Sequence, residues 1–261
     1  MSLESVSPSV GWGVLHLYYR VDRTRAGEPG GAKRILDAIV ALEADGHQVI
    51  VSSVLGHKAD LGVMALGPDL ARLQQFQQEM LEGPLVPEYS YVSLTEQSEY
   101  GQTEDDERAR LADDEQVTDP AEVEARVAVW RDRIAHYREQ RIHPKLPPKA
   151  TMCFYPMSKR RTADDNWYGL DFDARKQLMS GHARVGRTYA GRVLQLITGS
   201  TGLDEWEWGV TLFADDIVAL KEIVYEMRFD EVSARYAEFG PFIACLIGAP
   251  EQVLDSVGVR S

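Results

Sequence analysis

The second half of this chain repeats the pattern of the first half. The pair Gly62-Val63 recurs as Gly209-Val210, 147 residues later. The same offset joins four further identical pairs: Asp69 and Asp216, Leu73 and Leu220, Glu79 and Glu226, and Met80 and Met227. Each copy is typical of a strand followed by a helix, with the Asp as the helix N-cap. This self-similarity predicts a duplicated domain.

The segments around the two copies predict the same order of elements. In the first half, the pattern predicts strands at 14–21, 47–54, 61–66 and 89–94, with helices near 32–40 and up to Met80. In the second half, it predicts strands at 151–157, 192–198, 206–213 and 241–247, with helices at 171–189 and up to Met227. The order β-α-β-β-α-β is that of a ferredoxin-like α+β unit, present twice. The free face of each antiparallel sheet must then be covered by the other sheet or by another subunit.

We expect three parts in the chain: an N-terminal ferredoxin-like unit at 1–98, an acidic loop with a connecting helix at 99–149, and a C-terminal ferredoxin-like unit at 150–261. Residues 102–120 are rich in Asp and Glu and poor in apolar residues, which is typical of a mobile surface loop. Beyond Ala121, an amphipathic helix is predicted by the spacing of Val123, Val127, Trp130, Ile134 and Tyr137. An extended connector is predicted by Pro144, Pro147 and Pro148.

Composition excludes several classes of protein. The net charge of −13 argues against a nucleic-acid binder, although a local basic pocket for an anionic ligand stays compatible with it. The two cysteines, Cys153 and Cys245, lie in apolar strand-like runs, so we expect buried, reduced thiols. The sequence shows neither a signal-peptide pattern nor a run of about 18 apolar residues. These features predict a soluble, cytoplasmic protein.

One segment of the second copy carries side chains suited to oxidative chemistry. Tyr155 alternates with Cys153 and Met157 along a predicted strand, so these three side chains share a face. The phenol of Tyr155 can simply pack in the core, or it can be oxidised to a radical. Lys159 follows at the end of the strand, where a solvated turn is the default. If Lys159 points inward, its buried ammonium requires an anion such as a carboxylate.

His182 lies on the apolar face of its predicted helix. Leu178 precedes it by four residues and Val185 follows it by three, which is helical spacing. Such an imidazole is either a hydrogen-bonded core histidine or the axial ligand of a haem-type iron. No second His, Cys or carboxylate at ligand spacing indicates a zinc site or a two-histidine iron site.

Several long motifs give the chain a resemblance to a known family. They are Tyr155-Pro156-Met157-Ser158-Lys159-Arg160-Arg161, Asn166-Trp167-Tyr168, His182, and the runs 186–191, 206–216, 225–236 and 238–242. In these motifs the sequence resembles the coproheme decarboxylases of the chlorite-dismutase superfamily. The resemblance is dense over residues 141–243 and looser in the N-terminal half.

The resemblance implies a fold, an assembly and a reaction. The fold is a dimeric α+β barrel formed within one chain by the two ferredoxin-like units, and the assembly is a homopentamer. The reaction is hydrogen-peroxide-dependent oxidative decarboxylation of two propionates of iron coproporphyrin III (coproheme), which is both substrate and redox centre. Its product is haem b, and the step is the last of coproporphyrin-dependent haem biosynthesis. A transient contact with coproporphyrin ferrochelatase is a further expectation.

The resemblance also implies roles for individual residues. His182 is similar in position to the proximal iron ligand, Tyr155 to the residue that becomes the radical, and Lys159 to the nearby proton donor and propionate partner. The positions implied to contact the macrocycle or its propionates are Arg141, Tyr155, Pro156, Met157, Ser158, Lys159, Trp167, Gln195 and Ser233. For Trp167, plain core packing is the alternative.

The strand at 192–198 separates branches of the superfamily. Chlorite dismutases carry an Arg over the iron where this chain has Gln195, and Arg192 is expected on the opposite strand face. Actinobacterial decarboxylases carry a distal His near the position of Arg141. The chain therefore resembles the Gln-type branch of the Firmicutes enzymes, while a role for His143 as a base stays open. Two alternatives remain: another haem peroxidase or chlorite-splitting enzyme, and a non-catalytic porphyrin carrier, which would not need Tyr155 and Lys159.

Overall fold

The computed structural model describes residues 3–260. The first half contains β1 (Gly13–Val21), α1 (Gly31–Ala44), β2 (Gln48–Val54), β3 (Leu61–Gly67), α2 (Leu70–Glu79) and β4 (Leu85–Thr95). Between the halves lie α3 (Glu104–Asp113) and α4 (Pro120–Ile142). The second half contains β5 (Thr151–Lys159), α5 (Phe172–Thr188), β6 (Leu194–Gly199), β7 (Trp208–Ala214), α6 (Ile217–Met227), α7 (Glu231–Tyr236), β8 (Ala237–Phe239), β9 (Ile243–Ile247) and α8 (Pro250–Ser256). The predicted β-α-β-β-α-β order is confirmed in both halves.

The strands close into a barrel. Their order is β7-β6-β4-β1-β3-β2-β9-β5, and β5 pairs back to β7 from Thr151–Ala214 to Met157–Trp208. All of these pairings are antiparallel, and the short β8 adds to β5 outside the ring. The junctions between the halves are β4 with β6 and β2 with β9. The predicted dimeric α+β barrel within one chain is confirmed.

The two sheets cover each other's inner faces. Side chains from both halves pack together inside the barrel, among them Tyr18 and Tyr91 from the first half and Phe154 from the second. The outer face of the first half packs under α1, α2 and α8, and the outer face of the second half packs under α5 and α6. The free face of each sheet is therefore covered by the other sheet of the same chain and not by another subunit.

The repeated glycine leaves room for these interior rings. A methyl group at Gly62 would lie 3.0 Å from Cε1 of Tyr18. One at Gly209 would lie 2.7 Å from Cε1 of Tyr91 and 3.2 Å from Cε2 of Phe154. Because these rings are rigid and fully buried, they cannot turn away cheaply. The same residue thus recurs for the same steric reason in each copy.

The repeated aspartates cap equivalent helices, as predicted. Asp69 accepts a hydrogen bond from the backbone N–H of Ala71, and Asp216 accepts one from that of Val218, both at 2.9 Å. Each carboxylate thereby pairs one of the free N–H groups at a helix start.

The first helix of each copy packs differently on its sheet. Helix α1 buries six residues: Gly31, Ala32, Ile35, Ala38, Ile39 and Leu42. Helix α5, its counterpart, buries none of its 17 residues, although Leu178, His182 and Val185 lie along one face. The outer face of the second half is therefore incompletely covered, and the candidate site lies there.

The acidic segment between the halves is helical, so the prediction of a loop across residues 102–120 is wrong over α3. Thr103 and Asp106 form a capping box: the Thr103 hydroxyl accepts from the Asp106 N–H, and the Asp106 carboxylate accepts from the Thr103 N–H. Acidic residues in the first turn favour the helix because they lie at the positive end of its dipole. The helix predicted beyond Ala121 is confirmed as α4, but of its predicted apolar face only Val127 and Trp130 are buried, and Tyr137 is 57% exposed.

Two smaller expectations concern cysteines and membranes. Cys153 and Cys245 are free and buried, as predicted. They lie on opposite faces of the barrel wall, in the outer and inner clusters respectively. Among the helices of residues 3–260, none has both the length and the apolar character needed to cross a membrane.

We predict that Gly209→Ala lowers the free energy of unfolding by about 1–3 kcal/mol, because the new methyl group overlaps the rings of Tyr91 and Phe154. Urea unfolding followed by far-UV circular dichroism measures the change. Gly27→Ala is the matched control, since a methyl group there meets no atom within 4 Å. It should change the free energy of unfolding by less than about 0.5 kcal/mol. Equal losses in the two variants would contradict the steric explanation.

Candidate functional site

Strand β5 places Tyr155 on the outer face of the barrel. Its side chain lies in the outer cluster with Cys153 and beside Met157, while Phe154 between them points to the interior, so the predicted alternation is confirmed. The residue is 6% exposed. Its ring stacks on Phe242 at a centroid distance of 4.4 Å. Burial raises the pKa of the hydroxyl, so the phenol keeps its proton at neutral pH.

Lys159 ends β5 on the same face and is buried, so a solvated turn is wrong for this residue. Its Nζ lies 4.3 Å from the centroid of the Trp167 ring. Burial lowers the pKa of the ammonium from 10.5 to about 8, while the nearby carboxylates of Asp230 and Glu207 oppose this shift. Lys159 can therefore gain or lose a proton close to neutral pH.

Glu207 fixes the backbone around Lys159. One carboxylate oxygen accepts a hydrogen bond from the Lys159 N–H at 2.7 Å, and the other pairs with the guanidinium of Arg161. The backbone N–H of Glu207 lies 3.2 Å from the hydroxyl oxygen of Ser158. This buried residue was not singled out from the sequence. Its signal was its place in the motif at 206–216, immediately before β7.

Asp230, the N-cap of α7, holds His182. The Nδ1 atom of His182 donates to Oδ2 of Asp230 at 3.0 Å, since a carboxylate can only accept. The same carboxylate accepts from the Ser233 N–H at 3.1 Å and from the Ser233 hydroxyl at 3.0 Å. Burial raises the pKa of Asp230, but the bonds from His182 and Ser233 outweigh it and leave the pKa below its ordinary value. Nε2 of His182 is thus the ring nitrogen left for a ligand.

A cavity of about 390 Å³ opens beside His182, between α5 and α7. Its walls are formed by Ala174, Gln177, Leu178, Gly181, His182, Asp230 and Glu231. The cavity lies along the helix that buries no residues. The side chains of Tyr155 and Lys159 are not part of its wall.

Helix α5 connects the surroundings of Tyr155 with those of Lys159. Towards its C-terminus, Val185 and Tyr189 pack against the cluster that holds Tyr155. Towards its N-terminus, Leu178 and Met179 pack against the cluster that holds Trp167. His182 lies between these two stretches. The predicted ligand therefore lies on the helix whose next turn packs against the cluster of the predicted redox tyrosine.

Gln195 on β6 and Arg141 on α4 border the same outer face. A methyl group at Gly186 of α5 would lie 3.2 Å from Nε2 of Gln195, so the absent side chain lets helix and strand approach. Nη2 of Arg141 lies 3.4 Å from the carbonyl oxygen of Ile197, two residues along β6. Arg192 lies in the turn before β6 and pairs with Glu222 at 2.5 Å. Strand β6 therefore begins at Leu194, whereas the sequence predicts a strand from Arg192.

Three other residues singled out from the sequence lie elsewhere. The side chains of Pro156 and Ser158 alternate with Tyr155 and so point to the opposite face of β5. His143 follows α4, where its ring lies 5.0 Å from that of Trp12 and its Nδ1 lies 2.6 Å from Glu139. Among the hydrogen bonds of the described residues, none joins the side chain of Ser158 or His143 to the side chain of His182 or Lys159.

The donor set determines what kind of metal group fits. Across residues 3–260, no cluster of three His, Cys, Asp or Glu side chains could hold a metal ion. His182 offers one imidazole nitrogen, oriented by a carboxylate, next to a cavity. A single axial donor of this kind fits the iron of a porphyrin, because the macrocycle brings four ligands of its own.

Comparison with known proteins gives a consistent picture. The model of the chlorite dismutase family matches residues 31–248. A structure described as a novel haem-binding protein from Thermus thermophilus is 34% identical, covers 99% of both chains and has a TM-score of 0.77. Chlorite dismutase from Candidatus Nitrospira defluvii in complex with imidazole is 15% identical, covers 96% of this chain and 97% of its own, and has a TM-score of 0.67. The latter likeness concerns the fold alone.

We predict that Lys159→Met removes a pH dependence of stability. Between about pH 8 and pH 10.5 the unfolded chain holds a proton on Lys159 that the folded chain has released. The free energy of unfolding of the unmodified protein therefore gains from this group as pH rises through that window. Relative to the unmodified protein, the variant should lose about 2 kcal/mol of stability between pH 7 and pH 10.

Urea unfolding at both pH values measures this difference. Lys145→Met serves as the control, because Lys145 is exposed and its replacement should shift stability equally at the two pH values. Parallel stability curves for Lys159→Met and the unmodified protein would show that burial does not perturb this ammonium.

Proposed function

The chain belongs to the chlorite dismutase family, and from that premise we propose that it is a coproheme decarboxylase. The proposed reaction uses hydrogen peroxide to convert two propionates of coproheme to vinyl groups, giving haem b as the last step of coproporphyrin-dependent haem biosynthesis. The observation that carries the proposal is that Tyr155 and Lys159 share the outer face of β5, while Val185 of α5, one turn after His182, packs against the cluster that contains Tyr155. When bound, the substrate supplies an iron centre that peroxide oxidises.

His182 is the proposed axial ligand. Its Nδ1 is bonded to Asp230, which fixes the tautomer and leaves Nε2 as the donor. The ionised carboxylate also makes the imidazole a stronger donor, because it stabilises positive charge on the ring. Ser233 completes the support, since it donates two hydrogen bonds to the same carboxylate.

Tyr155 is the proposed redox residue. Loss of one electron and of the hydroxyl proton leaves a tyrosyl radical, which abstracts a hydrogen atom from a propionate and regains its O–H bond. The propionate radical gives up a second electron and carbon dioxide, and a vinyl group remains. Burial keeps the hydroxyl protonated until it is oxidised, because it raises the pKa of the phenol.

Lys159 is the proposed proton donor. Each decarboxylation passes two electrons to one peroxide molecule, which needs two protons to become water, whereas the propionate releases only one. A buried ammonium with a pKa of about 8 can supply the second proton. Before carbon dioxide leaves, the same ammonium can pair with the propionate carboxylate. Arg141 can form a similar pair, and the uncharged Gln195 can orient a carboxylate by hydrogen bonding.

We also propose the homopentamer implied by the resemblance, with helix α6 at the contact between copies. The side chains of Tyr225 and Phe229 are 63% and 73% exposed, and their rings lie 5.2 Å apart. Ile217, which is 40% exposed, lines a groove between α6 and β9 together with Tyr225 and Ala244. Apolar surface of this extent on a folded chain favours burial against another copy. A transient contact with coproporphyrin ferrochelatase stays a prediction.

We predict that Tyr155→Phe binds coproheme but does not turn it over. The variant keeps the ring and its stacking on Phe242 while losing the O–H bond from which the radical forms. Protein loaded with coproheme should be titrated with hydrogen peroxide and its porphyrin analysed by mass spectrometry. The porphyrin bound to the unmodified protein should lose two carbon dioxide molecules and four hydrogens, two for each propionate, and the porphyrin bound to the variant none.

His182→Ala separates iron ligation from catalysis. It should change the absorption spectrum of the bound coproheme, because the axial nitrogen is lost. An unchanged spectrum would contradict the axial role, and full turnover by Tyr155→Phe would contradict the radical role. Unmodified protein that binds porphyrin without decarboxylation would favour a carrier, whereas chlorite turnover with bound haem b would favour the chlorite-splitting alternative.

We predict that Tyr225→Glu combined with Phe229→Glu yields a monomer, because two buried, unpaired carboxylates in a contact between copies are costly. Light scattering after size-exclusion chromatography gives the mass. Val40→Glu is the control at a similarly exposed apolar residue on α1 and should leave the assembly intact. A pentamer in the double variant, or a monomer in the control, would show that the contact lies elsewhere.

A further inference from the structure

The ammonium of Lys159 lies over the face of the Trp167 ring, and both side chains are shielded from solvent. Nζ lies 4.3 Å from the centroid of the indole ring. The two residues are 8% and 2% exposed. Solvent therefore screens this charge weakly, and its attraction for the electrons of the ring is strong. A cation that attracts these electrons also opposes the removal of one of them.

Trp167 begins an aromatic route to the surface. Its ring centroid lies 5.4 Å from that of Tyr236 and 6.2 Å from that of Tyr100. Tyr100 in turn stacks on Phe172 at 5.8 Å, and Phe172 is 45% exposed. An electron removed from Trp167 can be replaced from these neighbouring phenols. Oxidation of Trp167 would thus carry oxidising equivalents away from the site.

We propose that Lys159 keeps Trp167 reduced, so that an oxidant in the site takes its electron from Tyr155. One-electron oxidation of Trp167 gives an indole radical cation, which then loses the Nε1 proton. A positive charge over the ring raises the free energy of that radical cation, so the first step is disfavoured. Tyr155 packs against Phe242 and Phe239, and no cation within residues 3–260 lies over its ring.

Other charges near the contact do not replace this effect. The carboxylates that act on Lys159 are those of Asp230 and Glu207. Each has donors of its own, since Asp230 binds His182 and Glu207 binds Arg161. The aromatic and apolar side chains that pack with Trp167 are those of Tyr100, Tyr236, Leu170, Leu178, Met179 and Val232. Lys159 thus supplies the positive charge next to the indole.

The benefit of this protection rests on the proposed radical chemistry of Tyr155. A decarboxylase that oxidised Trp167 instead would consume peroxide without attacking a propionate. The electrostatic effect itself needs no porphyrin, so it can be measured independently of the proposed reaction.

The test uses the porphyrin-free protein and photogenerated tris(bipyridine)ruthenium(III) as the one-electron oxidant. Oxygen adducts at each tryptophan are quantified by peptide mass spectrometry, and Trp167 is expressed relative to Trp130. Trp130 is the internal reference because it is similarly buried and no cation in the described chain lies over its ring. Lys159→Met should raise the Trp167 to Trp130 ratio roughly fivefold, the scale expected from a desolvated cation–π contact.

Two further measurements keep the result unambiguous. Lys159→Arg retains a charge and should keep the ratio near that of the unmodified protein, and Lys145→Met should not change it. If Lys159→Met does not fold, raising the pH from 7 to 9.5 removes the ammonium charge in the unmodified protein, whose pKa is about 8. The ratio should then rise in the unmodified protein and stay level in Lys159→Arg.

Equal ratios in unmodified protein and Lys159→Met, or no rise with pH, would overturn the inference. If the inference fails in this way but the unmodified protein decarboxylates coproheme, the proposed function still stands. Protection of Trp167 without any decarboxylation would instead overturn the function and leave the inference intact.

Discussion

Closure of the barrel is the constraint on which the rest of the structure depends. Because β5 pairs back to β7, both sheets bury their inner faces against each other, and only their outer faces need helices. In the first half this cover is tight, since α1 buries six residues. In the second half α5 buries none, and a cavity of about 390 Å³ opens beside His182. Duplication thus yields one copy that stabilises the barrel and one with room for chemistry.

Local signals in the sequence were sufficient for the fold. The offset that joins Gly62 to Gly209 showed the duplication, and apolar alternation placed Tyr155 and Phe154 on opposite faces of β5. The prediction of a loop in the acidic segment is wrong because it rests on composition and leaves out the hydrogen bonds that cap a helix. Thr103 and Asp106 already form a capping-box pattern in the sequence, and that pattern outweighs the scarcity of apolar side chains in α3.

The support of the candidate site could not be predicted, because it depends on contacts between distant segments. Asp230 is 48 residues from His182, and Glu207 is 48 residues from Lys159. Both carboxylates lie in the runs 206–216 and 225–236, yet neither has a spacing that indicates its partner. Lys159 is likewise covered by Trp167, which lies in the segment between β5 and α5. Strand periodicity gives the face of a side chain but not what covers that face.

The repeated glycines have a consequence for how the two copies can diverge. Gly62 makes space for a ring of its own half, whereas the space over Gly209 is shared by Tyr91 of the first half and Phe154 of the second. A mutation that enlarges the second-half position therefore requires the ring of Tyr91 or of Phe154 to move or to be replaced by a smaller side chain. The N-terminal copy, although it carries no proposed catalytic group, thus limits which residues the second copy can accept, through the volume that Tyr91 occupies.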